Sequence, residues 1–314
     1  FWLNICAQSA LYAPQGFKTP APHSLCRYGG RLAHCCAAQS TASEKTSSYS
    51  ITINEYDVYV NVRKTEDDKL SRAGFSSEQT ALIKSDIIEN ELTKLSNLSS
   101  AELISLGYNK QQIETLHNYE GERIETVPKL RGVFADMSIN FYPVTANSTS
   151  LSVQVEWSWS NAPLLAGSMI EDMVAMRWKG TDDSGSPLNV AFVSSGSYCS
   201  IKYYYRTGSY HSSKRENIVC DSPYDHAYAK IPMCPSSAST NIYAKQGIFT
   251  VKVQRTGSNS IKEAAFVFAY GHTIAIVSPS LSLPPSFGIG FSFGTETMAE
   301  QAIRMDRNGI ITAY

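Results

Sequence analysis

The chain predicts a mainly β fold: an antiparallel β-sandwich with a small helical insertion of about three helices near its N-terminal side. Three observations point there. Past Pro128 helical periodicity disappears, and strand-like runs follow at short intervals: "GVFADMSINFYP", "LSVQVEWSWS", "DMVAMRWKG", "NVAFVSS", "YCSIKYYYR", "GIFTVKVQR", "EAAFVFAYG", "TIAIVSP" and "FGIGFSFG". The segments between them, such as "NSTS", "TDDSGSP", "RTGS" and "SLPP", are turn chemistry, and strands joined without intervening helices build sandwiches or barrels. The charge is also divided: residues 51–130 carry 14 acids and 9 bases, whereas 131–314 carry 13 acids and 14 bases, which marks an architectural change near residue 130.

Residues 47–314 therefore read as a single domain. Residues 1–46 show neither strand nor helix period, only scattered Pro, Gly, Cys and His, and read as a disordered leader or the remnant of an export segment. From Ser48, "YSITINEYDVYVNVRK" alternates apolar and polar residues through Ile51, Ile53, Val58, Val60 and Val62, the period of one half-buried strand or of two. Between Ser77 and Ser96, Leu82, Ile83, Ile87, Ile88, Leu92 and Leu95 fall at helical spacing and predict one amphipathic helix. Ser99 with Glu102 and Asn109 with Gln112 form capping boxes for two shorter helices, and Gly107 stops the first of them, so the helical insertion spans 77–119. The stretch "LSSAELISLGYNKQQIETLHNYEG", within residues 97–121, resembles a segment of uncharacterised secreted proteins of Gram-positive bacteria. Its "LGY" and short following helix are also similar to ubiquitin-associated adaptors, and neither resemblance assigns a functional residue.

Lys plus Arg number 27 against 28 Asp plus Glu, a balance that argues against a dedicated nucleic-acid binder. Charged residues make up only 18% of the chain, and it holds 18 tyrosines. With Ser, Thr, Asn and Gly crowding the second half, this is the texture of a secreted or cell-surface β protein. No run of 18 or more apolar residues exists to cross a membrane as a helix.

The chemistry-bearing residues point away from catalysis. Leu151, Val153, Val155, Trp157 and Trp159 share one face of a strand, so the tryptophans are expected in the core, joined by Trp178. The acid pairs Glu171–Asp172 and Asp182–Asp183 are read as solvated turns rather than the opposed carboxylates of a glycosidase. No Gly-x-Ser-x-Gly elbow is present, and His272 is expected at a hairpin or strand end. His211, Cys220, Asp221, Asp225, His226 and Cys234 concentrate possible metal ligands, but without zinc-type spacing. No metal or cofactor is implied. Cys220 and Cys234 flank "DSPYDHAYAKIPM" and are the first choice for a disulfide, with Cys199 as a buried strand thiol. In "SFGIGFSFGT", Phe287, Ile289, Phe291 and Phe293 alternate with Gly and Ser, a pattern that fits a pore strand or a sheet strand. The sheet strand is preferred, because "SLSLPP" is read as breaking the pattern of a matching second arm.

One surface remains. "IKYYYRTGSYH" sends Ile201, Tyr203 and Tyr205 to one face and Lys202, Tyr204 and Arg206 to the other, and no acid occurs from 198 to 215. The candidate binding residues are therefore Lys202, Tyr204, Arg206, Tyr210 and His211. The function expected is that of a non-enzymatic binding or structural module for an extracellular ligand, a polysaccharide or a protein surface. The alternatives are a hydrolase whose acids meet only in the fold and a membrane-active β protein.

Overall fold

The computed structural model describes residues 48–72, 77–166, 170–235, 241–273, 281–282, 289–291 and 295–313, and the expected leader lies outside them. Strand β1 (Tyr49–Asn54) runs directly into helix α1 (Glu55–Lys64), followed by α2 (Asp67–Arg72), α3 (Ser77–Ile83), α4 (Ile87–Ser96), α5 (Ser100–Ser105) and α6 (Lys110–His117). Two short 3-10 turns lead into β2 (Asp136–Ala146), β3 (Ser150–Trp159), β4 (Glu171–Asp182), β5 (Pro187–Leu188), β6 (Val190–Phe192) and β7 (Tyr198–Tyr205). Then come β8 (Tyr210–Glu216), β9 (Val219–Ser222), β10 (His226–Pro232), β11 (Ile242–Arg255), β12 (Ile261–Thr273), β13 (Leu281–Ser282), β14 (Gly290–Phe291), β15 (Thr295–Asp306) and β16 (Ile311–Ala313).

The strands build two antiparallel seven-stranded sheets, the sandwich that the strand runs predict. The first has the order β1-β2-β3-β11-β7-β8, with β6 added on β11; the second has β16-β15-β12-β4-β10-β9, with β5 added on β4. Their inner faces meet in one apolar core. Leu151, Val153, Val155, Trp157 and Trp159 enter it from β3, Met176 and Trp178 from β4, and Phe266 and Phe268 from β12. Gly247 of β11 lies opposite Trp157 in the ladder, and a Cβ there would overlap the indole, so the glycine is the space that the tryptophan occupies.

The helices cover one end of the sandwich, around a second core that includes Leu92, Leu103, Leu116, Ile124 and Leu130. Both predicted capping boxes, Ser99 with Glu102 and Asn109 with Gln112, are present. Gly107 adopts φ +91°, and the carbonyl of Arg206 at the end of β7 packs where its Cβ would be, which docks the α5–α6 turn onto the first sheet.

Several elements differ from the sequence reading, each for a physical reason. The expected strand beyond Asn54 is helix α1, so helical structure begins at residue 55 rather than 77. Asn54 accepts the Tyr56 N–H, Glu55 and Asp57 stand in the first turn and Arg63 and Lys64 in the last, matching both ends of the helix dipole. The helix is buried nearly all round, Val58 against the sandwich core and Tyr56, Tyr59, Val60 and Val62 among the helices, so no single apolar stripe marks it. The expected helix 77–96 is broken into α3 and α4. Buried Arg63 takes the Ser85 carbonyl at 2.5 Å and pairs with Glu89, using a backbone acceptor where the helix would continue. The segment read as a loop between Cys220 and Cys234 contains β10, which lies inside the second sheet.

Gly247→Ala is expected to lower the unfolding free energy by about 1–3 kcal/mol in urea denaturation. Gly257→Ala, where nothing lies within 4 Å, should change it by less than about 0.5 kcal/mol.

Candidate functional site

The outer face of the first sheet is a lattice of polar side chains. Strand register aligns Asn140, Glu156, Ile248 and Ser200 in one row across β2, β3, β11 and β7, and Ser138, Ser158, Gln246 and Lys202 in the next. Between these rows lies a shallow cleft of about 180 Å³, lined by Asn140, Glu156, Ser158, Ser200, Lys202 and Gln246 together with backbone and Ile248. The side chains are held by one another. Gln154 donates to Glu156 at 2.7 Å and accepts from the Tyr198 hydroxyl at 3.0 Å, and the Tyr204 hydroxyl donates to Gln246 at 3.3 Å. Locked amides, hydroxyls and a carboxylate present directed donors and acceptors at little further entropic cost.

Three of the sequence-predicted residues come together here. Lys202 lines the cleft, Tyr204 flanks it, and Tyr210 at the start of β8 meets Tyr204 edge-on at 5.6 Å while staying 54% exposed. A bulge in β11 opposite Tyr203 and Lys202 carries Lys245 outward over the Tyr204 ring at 5.6 Å. The other two go elsewhere. His211 is exposed and packs edge-on against Tyr205 at 5.2 Å. Arg206 turns toward the helical end, donates to the Ala166 carbonyl at 2.8 Å, and burial pulls its guanidinium below the usual range. Of the two tyrosines that pleating sends to the face of Ile201, Tyr203 is fully buried and Tyr205, at the end of β7, is exposed. Asn140, Glu156 and Gln246 gave no signal in the sequence, because single polar residues on the outward phase of a strand look like ordinary solvent-facing positions.

A second constellation lies inside the molecule, and the sequence reading misplaced one member of it, Asp172. Asp172 is not in a solvated turn: it opens β4 facing inward and accepts from the Tyr270 hydroxyl at 2.6 Å, the Thr273 N–H at 3.0 Å and His272 Nδ1 at 2.9 Å. His272 lies at the strand end expected of it, one residue before β12 finishes at Thr273, but it is buried there, 1% exposed. Its Nε2 lies 3.9 Å from Glu55 Oε1, and Glu55 accepts N–H groups from Leu164 at 3.1 Å and Ala135 at 3.4 Å. Glu55 and Asp172 flank the one histidine from opposite sides, and all three side chains are buried, the two acids fully. Burial raises the Glu55 carboxyl above its ordinary value, the charge of His272 and the two N–H donors pulling it partway back.

Cys220 and Cys234 are not joined. β9 pairs with β10 so that Ser222 faces His226 and Val219 faces Tyr228, which sets Cys220 beside the start of β10, while Cys234 follows its far end. At about 3.3 Å per residue the two lie well beyond the ~7 Å Cα reach of a disulfide. Cys199 sits in the core, where burial pushes its thiol up to about 12. Among the described residues, no group of three His, Cys, Asp or Glu side chains is arranged to hold a metal ion.

The fold defines a mainly β, two-sheet sandwich with a helical end. No known protein-family model matches the chain, and no curated protein does. Among solved structures it is similar to a pore-forming protein, at 10% identity over 57% of this chain and 89% of that one, with a TM-score of 0.24. It is similar also to a collagen-binding domain of a Staphylococcus aureus adhesin, at 10% identity over 42% and 84% of the two chains, TM-score 0.19. The N-terminal domain of a Streptococcus gordonii adhesin matches at 10% identity over 49% and 29%, TM-score 0.23. Likenesses this slight decide nothing about function.

Two outcomes follow from the buried constellation. Asp172→Asn leaves His272 without its buried carboxylate and is expected to cost about 3–5 kcal/mol of stability, measured by thermal and urea unfolding. The Glu55 carboxyl is raised in the fold, so its contribution is full below the unfolded carboxylate value and declines as pH climbs through the folded one. Glu55→Gln should therefore flatten the fall of stability with rising pH above the ordinary carboxylate range, and an unaltered profile would refute the assignment.

Proposed function

We propose that this protein is a binding module without enzymatic chemistry of its own, acting outside the cell or at its surface, and that the outer face of the first sheet holds a polysaccharide. The observation that carries the reading is the cleft: amide, hydroxyl, carboxylate and ammonium groups from four adjacent strands, beside Tyr204 and Tyr210. Directed polar groups next to an aromatic edge suit the hydroxyls and ring faces of a sugar chain running across the strands. A protein ligand would need a deep apolar pocket for an anchoring side chain, and this cleft is shallow and mostly polar. A glycosidase needs two carboxyl groups about 5–10 Å apart across the scissile bond, and Glu156 is the single carboxylate among the cleft residues.

Affinity electrophoresis through gels containing a panel of plant, fungal and bacterial polysaccharides tests the reading. The protein should be retarded by at least one of them. Lys202→Ala combined with Gln246→Ala should weaken that retardation by about tenfold, the loss of two hydrogen-bonding groups, with the melting temperature unchanged. Undiminished binding by the double variant, binding only to proteins, or release of sugar fragments would each overturn it.

A further inference from the structure

Charge is unevenly placed along the cleft of the first sheet. Its β2–β3 end holds Asn140 and Glu156, while β11, β7 and β8, at the other end, contain one acid among them, Glu216. Glu216 stands opposite Cys199 on the inward phase and is paired with Lys214 at 2.8 Å, so its charge is directed away from the outer face.

What these strands present outward is positive, and the register sets the cations around the mouth of the cleft. Lys202 lies in the row of Gln246 and Ser213, and Arg215 in the row of Ile248 and Ser200; both side chains are exposed. Those are the two rows between which the cleft runs, so a chain leaving it over β8 passes between the ammonium and the guanidinium. Lys245, carried outward by the bulge, adds a third charge near Lys202, and Lys252, two residues beyond the partner of Tyr198, adds a fourth. Two of the four are steadied on aromatic rings, Arg215 over Tyr198 at 5.3 Å and Lys245 over Tyr204 at 5.6 Å. Among the described residues none of the four is in an ion pair, whereas Lys214, Lys230, Arg304 and Arg307 on other parts of the sheets are.

Charge on an edge strand deters pairing with a second chain, and that role accounts for Arg215 on β8. It does not account for Lys202, Lys245 and Lys252, which stand on the interior strands β7 and β11. Unpaired like charges on one face repel one another, a cost that a bound anion removes. Glu156 limits where that anion can sit. It is tied to Gln154 on β3, two strand spacings, or about 10 Å, from β7. The negative group of a ligand therefore belongs at the β7–β8 end, with uncharged hydroxyls and amides over β2 and β3.

We propose, on the reading of this cleft as a polysaccharide site, that its ligand is an acidic polysaccharide whose charged sugars alternate with uncharged ones, the anionic group being held between Lys202 and Arg215. Single-stranded nucleic acid fits less well, because a phosphate about every 3.4 Å would place negative charge against Glu156.

The test is affinity electrophoresis of the full chain through four polymers: hyaluronan, in which carboxylates alternate with uncharged sugars; keratan sulfate, which carries sulfate and no uronate; polygalacturonate, charged at every sugar; and uncharged dextran. Hyaluronan or keratan sulfate should retard the protein more than dextran does, the pair telling carboxylate from sulfate, and the effect should fall as sodium chloride is raised. Lys202→Gln with Arg215→Gln should weaken it by about tenfold or more, with the melting temperature unchanged. Lys179→Gln with Lys262→Gln removes the same charge from exposed positions on the second sheet and should leave it within about twofold. Equal loss in the two variants, or equal retention by polygalacturonate or oligothymidylate, would show ion exchange by overall charge and overturn the proposal. Retardation by uncharged polysaccharides alone would overturn it and leave the polysaccharide reading of the cleft standing; retardation by no polysaccharide would bring down both.

Discussion

A carboxylate removed from water has to be met by donors or give up its charge, and two such carboxylates organise this molecule. Asp172 collects a tyrosine hydroxyl, a backbone N–H and an imidazole, all from the end of β12, and so locks the β4–β12 pair at the heart of the second sheet. Glu55 sits on the far side of the same imidazole and collects the N–H groups of Ala135 and Leu164, which lie at the entry to β2 and beyond the end of β3. The histidine therefore joins helix α1 to one sheet while its neighbours join it to the other. Trp159 of the first sheet packs edge-on against both Tyr270 and His272, at 5.8 and 5.6 Å, and seals the cluster from solvent. These polar contacts give the helical end a register on the sandwich that apolar contact, which is non-directional, does not supply. A second buried pair, Arg63 with Glu89, sets the helices against one another; burial works against the charge on Glu89, and the guanidinium outweighs it and holds the carboxyl below its usual range.

What could be read from the sequence was what depends on local period. The five inward residues of β3 repeat every second position over a long strand, and no competing pattern exists for them. The capping boxes at Ser99 and Asn109 depend on residues three apart, and both are in place. The tyrosine run split by pleating as expected up to Tyr204. What could not be read was set by tertiary environment. Helix α1 is enclosed on most sides, so its apolar residues fall at positions that fit a strand as well as a helix. Asp172 and His272 are a hundred residues apart, and only the antiparallel register of β4 with β12, which pairs Met173 with Gly271, sets them side by side. The same holds for the cleft: Asn140, Glu156, Gln246 and Lys202 are adjacent only because four strands from distant parts of the chain are aligned in one order.

The two outer faces show how a sandwich divides its work once its core is satisfied. The inner phase of each strand is committed to packing, so any function has to be carried on the outer phase, and the chain uses that phase in contrary ways. On the first sheet the outward residues are amides, hydroxyls and charges that bind one another, a surface at equilibrium with water. On the second, the central strands β4 and β12 present alanine, valine and methionine outward, so that sheet depends on a covering segment. Ile289 is buried against that strip and Leu281 packs beside it, so the short ribbon β13–β14 supplies the cover.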